Sequence, residues 1–266
     1  DRALVAEVLT LPDENYLADL AEPPVDPQAI HEARRGLRER IGTELAEVLW
    51  ATYEALAAVA EYRPDPEEVA RRRLRSACLD YLVAAGDTDA REAARTQYEA
   101  ADNMTDRLAG LRPLVMTGQP GAEEVLADFR DQWQRDPEVM DKWLGLQAAS
   151  PALGDLDRVA GLMADPIFDL RNPNKVRAVL GSFTRGNPAR FHAPDGGAYR
   201  FLADQVLKLD AINPQIAAAL ARGLSRFDRL AEPYRGHMRA ELERIRGQEG
   251  LSRDTYEIVA RSLGEM

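Results

Sequence analysis

The sequence predicts an all-α fold, a superhelical array of helical hairpins of the α-solenoid, degenerate HEAT or armadillo-like kind. Three observations predict it. Apolar residues recur at helical spacing along nearly the whole chain, no segment alternates convincingly as a strand does, and Asp-Pro or Asn-Pro pairs break the apolar runs at irregular intervals.

Taken in order, residues 1–26 are expected to be a linker or docking segment, because the chain is proline-rich and poorly periodic between Leu9 and Pro27. The helical domain is expected over 27–266. Its apolar stripes are Leu74, Cys78 and Leu82; Val125, Phe129 and Trp133; Val176, Leu180 and Phe183; Leu202, Val206 and Leu209; and Met238, Leu242 and Ile245. The breaks fall at Asp26-Pro27, Asp65-Pro66, Asp136-Pro137, Asp165-Pro166, Asn172-Pro173, Asn187-Pro188 and Asn213-Pro214. Many of these are expected to start helices. An Asp or Asn side chain accepts from the open amides of a first turn, while Pro at the next position gives up only an amide that had no partner. Asp65-Pro66-Glu67-Glu68 adds an acid three residues after the cap, the pattern of a capping box. The segments between breaks amount to about twelve to fifteen helices of roughly 10 to 20 residues, joined by short turns.

Composition fits this reading. The 266 residues are 45% hydrophobic and 30% charged, with a net charge of −11. That is enough apolar material for a core, and an array grows as one unit because each hairpin brings its own share of it. The longest apolar stretches, such as Leu56-Ala57-Ala58-Val59-Ala60, fall short of the roughly 18 residues of a spanning helix, so no membrane partner is expected. The acidic balance argues against nucleic acid as a partner, since phosphate binding needs clustered cations. The run Arg71-Arg72-Arg73-Leu74-Arg75 follows Glu67 and Glu68 and reads as a solvated helix face. The chain starts at Asp1 without a leader pattern, which suggests a piece of a longer protein. Cys78 stands in an apolar register with no second thiol and reads as a buried, inert cysteine.

Catalytic patterns are sparse. His31, His192 and His237 are far apart, and none has the i, i+4 partner of HExxH, so no zinc ligand set is visible. No GxSxG elbow and no Cys/His pair is present. The loop Phe191-His192-Ala193-Pro194-Asp195-Gly196-Gly197-Ala198-Tyr199 gathers a histidine, an acid and two glycines; its simplest reading is a connection in which Asp195 caps the following helix. Between residues 171 and 200, Arg171, Lys175, Arg177, Arg185, Arg190 and Arg200 stand against the single acid Asp195. Such a segment is either a solvated or docking face, or a positive patch lining a cavity that receives carboxylates.

Asn172-Pro173-Asn174-Lys175-Val176-Arg177, then Gly186-Asn187-Pro188, Phe191-His192, Asp195-Gly196, Tyr199, Phe201-Leu202 and Asn213-Pro214-Gln215, closely resemble the C-terminal domain of the bacterial aminopeptidase N family. The likeness extends through Leu11-Pro12, Asp26-Pro27, Asn103-Met104-Thr105-Asp106 and Val139-Met140-Asp141-Lys142-Trp143 to Leu251-Ser252 and Tyr256-Glu257, so it covers essentially the whole chain. It departs at Pro194, where an acid is expected, and at Gly197-Ala198 in place of a Ser-Gly pair. The resemblance implies a cytoplasmic zinc metallopeptidase in which this helical domain closes over a thermolysin-like catalytic domain and walls its substrate chamber. The partners it implies are the catalytic and β domains of the same chain and the peptide substrates. The zinc belongs to that catalytic domain; HExxH and GxMEN are absent here, so no cofactor is expected in this segment. Within the chamber reading, Arg177 is the first candidate for contact with substrate, because it should point away from Val176, Leu180 and Phe183, and Lys175 and Arg190 are weaker ones. The alternative is a free-standing helical-repeat adaptor that binds proteins on its concave face. On the leading reading the isolated chain neither binds one equivalent of zinc nor releases N-terminal amino acids; metal analysis and an aminoacyl-chromophore assay check this, and tight zinc or turnover that survives repurification would contradict it.

Overall fold

A computed structural model describes residues 1–57 and 62–265. Ala58, Val59 and Ala60 of the apolar stretch noted above lie outside the described residues. The chain forms α1 (Arg2–Val8), α2 (Glu14–Leu20), α3 (Pro27–Glu44), α4 (Ala46–Ala55), α5 (Pro66–Ala84), α6 (Thr88–Ala100), α7 (Met104–Thr117) and α8 (Ala122–Trp133). It continues with α9 (Pro137–Ala148), α10 (Leu156–Ala164), α11 (Pro173–Val176), α12 (Ser182–Gly186), α13 (Pro188–Phe191), α14 (Gly197–Asp210), α15 (Pro214–Ala221), α16 (Tyr234–Arg246) and α17 (Arg253–Ser262). Among the described residues the only extended pairing is an isolated parallel bridge between Val25 and Leu230. Several helices are shorter than their apolar stripes suggest, because Asn187-Pro188 and a π-helical turn over Arg177–Gly181 divide the stretch from 173 to 191.

Two compact units are present: Asp1–Asp13 with Glu32–Gln132, and Glu14–His31 with Trp133–Met266. In the first, α5 packs against α1, α4, α6 and α7, and α6 and α7 share the most extensive contact. Gly110 permits that approach, since a Cβ there would lie 2.5 Å from the Ala94 carbonyl oxygen and 2.6 Å from the Tyr98 nitrogen. In the second unit, α14 packs on α15 and α16, α17 packs on α15 and α16, and α9 lies against the π turn. Residues 1–26 hold two helices, α1 in the first unit and α2 in the second.

Six of the seven Asx-Pro pairs start helices: Asp26, Asp65, Asp136, Asn172, Asn187 and Asn213 each accept a first-turn amide. Asp165-Pro166 does not. Its Oδ1 accepts from the Ile167 amide at 3.0 Å just beyond the end of α10, and a turn follows instead of a helix. The same side-chain geometry serves an Asx turn, and the residues that follow decide between the two. The capping box is half formed: Asp65 accepts from the Glu68 amide, while the Glu68 carboxylate turns to Arg71 at 2.9 Å and Arg72 at 3.6 Å.

Those contacts overturn the solvated-face reading of the arginine run. Arg71 and Arg72 are buried at 8% and 4% exposure; Arg71 also donates to the Leu56 carbonyl, and Arg72 lies over the Tyr62 ring at 4.6 Å. Arg75 lies over Tyr53 at 4.1 Å and donates to Gln97. Only Arg73 is exposed, with Glu7 as its partner. Guanidinium groups bury their stems and stack on aromatic faces when carboxylates and carbonyls accept their donors. Cys78 is buried as expected, and burial pushes its thiol up to about 11, against a weaker opposing backbone hydrogen bond.

Two polar clusters fix the second unit. Asn187 is 1% exposed, and its amide nitrogen faces the carbonyls of Ala148 at 3.1 Å, Ser150 at 2.8 Å and Gly154 at 3.0 Å. Asp210 accepts from the Ser252 amide and hydroxyl and from the Thr255 hydroxyl, tying α14 to the start of α17. Burial alone would raise this carboxyl, but the hydrogen bonds from Ser252 and Thr255 outweigh it and hold Asp210 below its ordinary range. Asn187→Ala strands those carbonyls and is expected to cost about 2–4 kcal/mol in urea unfolding. The carboxylate of Asp210 stabilises the fold above its ordinary pKa of 3.8, and that contribution is lost as pH falls through its lower folded value. Acid therefore lowers the unfolding midpoint of the wild-type chain more than that of Asp210→Asn, a difference that urea titrations on either side of that window measure.

Candidate functional site

The basic segment is built on the end-satisfying contacts just described. Asn172 caps α11 through the Asn174 amide, and the chain then enters the π turn at Arg177. π turns insert an extra residue into a helical run and re-aim the side chains beyond it. Val176, Leu180 and Phe183 are buried and Arg177 is exposed, the sidedness that the apolar spacing predicts. Gly181 lies beneath the exposed side of this turn. A Cβ there would meet the Arg185 guanidinium at 3.1 Å and Cβ of Arg177 at 3.8 Å, which places Arg177 and Arg185 on one face.

The three cations singled out from the sequence have different surroundings. Lys175 is 5% exposed; its ammonium lies 2.7 Å from Asp141 and donates to the Pro137 carbonyl at 3.0 Å, joining α11 to α9. Arg190 is exposed, and its guanidinium donates to the Pro151 carbonyl at 2.7 Å and toward that of Ala152 at 3.5 Å. Arg177 makes a 3.2 Å bond to the neutral side-chain oxygen of Asn174. Its positive charge thus meets a dipole instead of a carboxylate. Arg185 adjoins it, a neighbour the apolar spacing could not reveal; Arg-x3-Gly-x3-Arg is the signal in the sequence, since a glycine between two arginines on one helical face leaves room for both.

The loop behind this face is a packed connection. Phe191 stacks edge-on with Phe183 at 5.9 Å and with Tyr199 at 5.2 Å. His192 Nδ1 is 2.7 Å from the Tyr199 hydroxyl. Burial pushes the imidazole down to about 4 and raises the phenol, so a neutral ring and a protonated hydroxyl share that bond at neutral pH. Asp195 accepts from the Gly197 amide at 2.9 Å, an Asx turn at the entry to α14; the capping position itself is held by Gly196 without a side-chain cap, so the helix cap expected of Asp195 is not formed. Gly196 has φ +69, and a Cβ there would lie 2.7 Å from Cγ of His237, so two independent constraints require glycine at this position. His31 Nδ1 is 2.9 Å from Glu14. Among the described residues no group of three or more His, Cys, Asp or Glu side chains stands close enough to hold a metal ion. A shallow groove of about 600 Å³ lies between α1, α4 and α5, lined mainly by Val48, Ala51, Ala55 and Leu56 with Arg2 and Glu47 at its margin.

A family model described as "Domain of unknown function (DUF3458_C) ARM repeats" matches residues 1–264. Aminopeptidase N of Escherichia coli (strain K12) is 42% identical over 264 residues, covering 99% of this chain and 30% of that protein. Aminopeptidase N of Caulobacter vibrioides is 40% identical over 98% of this chain and 30% of its own length. A crystal structure of Legionella pneumophila aminopeptidase A in complex with aspartic acid superimposes with a TM-score of 0.88 at 29% identity, over 100% of this chain and 32% of that one. The chain thus spans about a third of the length of the proteins it matches. No helix among the described residues is long and apolar enough to cross a membrane.

Proposed function

The chain belongs to the family of ARM-repeat domains designated DUF3458_C, and we propose that it serves as the C-terminal helical domain of a cytoplasmic zinc aminopeptidase, closing over the catalytic domain and walling the substrate chamber. The observation that carries this reading is the end-to-end match to aminopeptidase N, in which the matched stretch is only 30% of a longer protein. The free-standing adaptor is the weaker alternative for the same reason. The partners are then the catalytic and β domains of the same protein, with peptides reaching this domain through the chamber. Among the described residues the side chains offer zinc a poor fit: His31 is engaged by Glu14, His192 by Tyr199, and Cys78 is buried with a raised thiol pKa.

The contribution of this domain is containment and electrostatics. A substrate held by its N-terminus at a catalytic centre projects its C-terminal carboxylate outward, and a cationic wall attracts it. Arg177 is the group best suited to this. It is exposed, its planar fork matches a carboxylate, and its guanidinium donates to the side-chain oxygen of Asn174. Arg185 beside it adds to the local positive potential. Lys175 is occupied by Asp141, and Arg190 by backbone carbonyls, which ranks them below Arg177.

A contact of this kind in water-filled surroundings is worth on the order of 1 kcal/mol, or several-fold in binding. In the full-length enzyme, Arg177→Ala is expected to weaken hydrolysis of a short peptide several-fold while leaving a single aminoacyl chromophore unchanged, with a larger gap at low salt. Equal effects on both substrates, or none on either, would assign the basic segment to a docking or solvated surface.

A further inference from the structure

Residues Glu14–His31 belong to the second unit although the chain on both sides of them belongs to the first. They are held there in an unusual way. α2 buries none of its seven residues, and Tyr16 and Leu20 are 53% and 66% exposed. Val25 and Pro27 are the buried positions of the whole stretch. Polar contacts supply the rest. The Arg229 guanidinium donates to the carbonyls of Ala18, Asp19 and Ala21 at the end of α2, with the last at 2.8 Å, and Arg226 pairs with Asp19. Asn15 donates to the Arg185 carbonyl at 2.8 Å, and Gln28 to those of Ala189 at 2.7 Å and His192 at 2.9 Å. Val25 exchanges two backbone hydrogen bonds with Arg229 and Ala231, both 2.8 Å. The Glu14–His31 contact at 2.9 Å joins the two ends of the stretch to each other.

We propose that residues 14–31 form a strap that alternates between a docked and a released state on the second unit while the helices beneath it remain folded. The free energy of a local opening follows the apolar area it exposes and the hydrogen bonds it breaks. Here the apolar area is small, and the bonds are mostly exposed or half-exposed side-chain contacts, each of modest net strength. Three structural results of release follow. The carbonyls of Arg185, Ala189 and His192 lose their strap partners, so the backbone carrying Arg185 and Arg190 is relieved of its clamps. Arg226 and Arg229 become available as cations. The edge formed by the Arg229 carbonyl and the Ala231 amide is left without its extended neighbour. The strap is therefore a device that sets the geometry of the basic face. All of these contacts lie inside the second unit.

Hydrogen exchange resolved by peptide, on the wild-type protein and on Arg229→Gln, tests it. The α2 amides should exchange much faster than those of α14 and α16 in the wild type. The substitution should speed the strap at least ten-fold further while leaving α14 and α16 unchanged. Gln28→Leu, which removes the two bonds to 189 and 192, should act in the same direction and serves if Arg229→Gln does not fold. Strap amides that exchange only at the rate of α14 and α16, or variants that accelerate all three together, would show that the stretch is an integral part of the core and overturn the proposal.

Discussion

Each helix leaves its first four amides and last four carbonyls without internal partners, and a chain cut into this many short helices meets that demand at every turn. The fold depends on how those ends are satisfied. Asp and Asn before Pro meet the amide side repeatedly, and Arg229 and Asn187 meet the carbonyl side with single planar groups. Asn187 does both at once, since its Oδ1 accepts from the Arg190 amide while its Nδ2 faces the chain between α9 and α10. A group such as Asn187 is tolerated in the interior because its amide donor and acceptor both find partners.

The same accounting governs the cations. Most of the 34 Lys and Arg side chains of this acidic chain lie at or near the surface. Arg71, Arg72 and Lys175 are buried against Glu68, Asp141, carbonyls and an aromatic ring, and they knit helices together. Removing one partner of such a pair leaves an uncompensated buried charge, which is why these groups read as structure. Arg177 is different in kind, because its guanidinium donates to a neutral amide oxygen, and the π turn and Gly181 set it beside a second arginine.

The all-helical fold was legible because it rests on short-range chemistry. Spacing of three and four residues puts Leu202, Val206 and Leu209 on one side of α14, and a capping side chain acts within three residues of itself. The role of Asp165 was not legible, because an Asx-Pro pair serves a helix start and a turn equally until the following residues find, or fail to find, a surface to pack on.

What the sequence by itself determined was the helical class, the six helix starts at Asx-Pro pairs, the burial of Cys78 and the outward direction of Arg177, all fixed by interactions within a turn or two of chain. Tertiary structure alone decided that three neighbouring cationic positions have three fates: Lys175 meets Asp141 from α9, Arg190 meets the carbonyls at 151 and 152, and Arg177 remains with Asn174. It also decided that residues 14–31 lie with the second unit, through an arginine some two hundred positions away. The physical reason is common to both. A charged side chain in sequence carries no record of which distant carboxylate or carbonyl will desolvate it, because that partner exists only after the helices have packed.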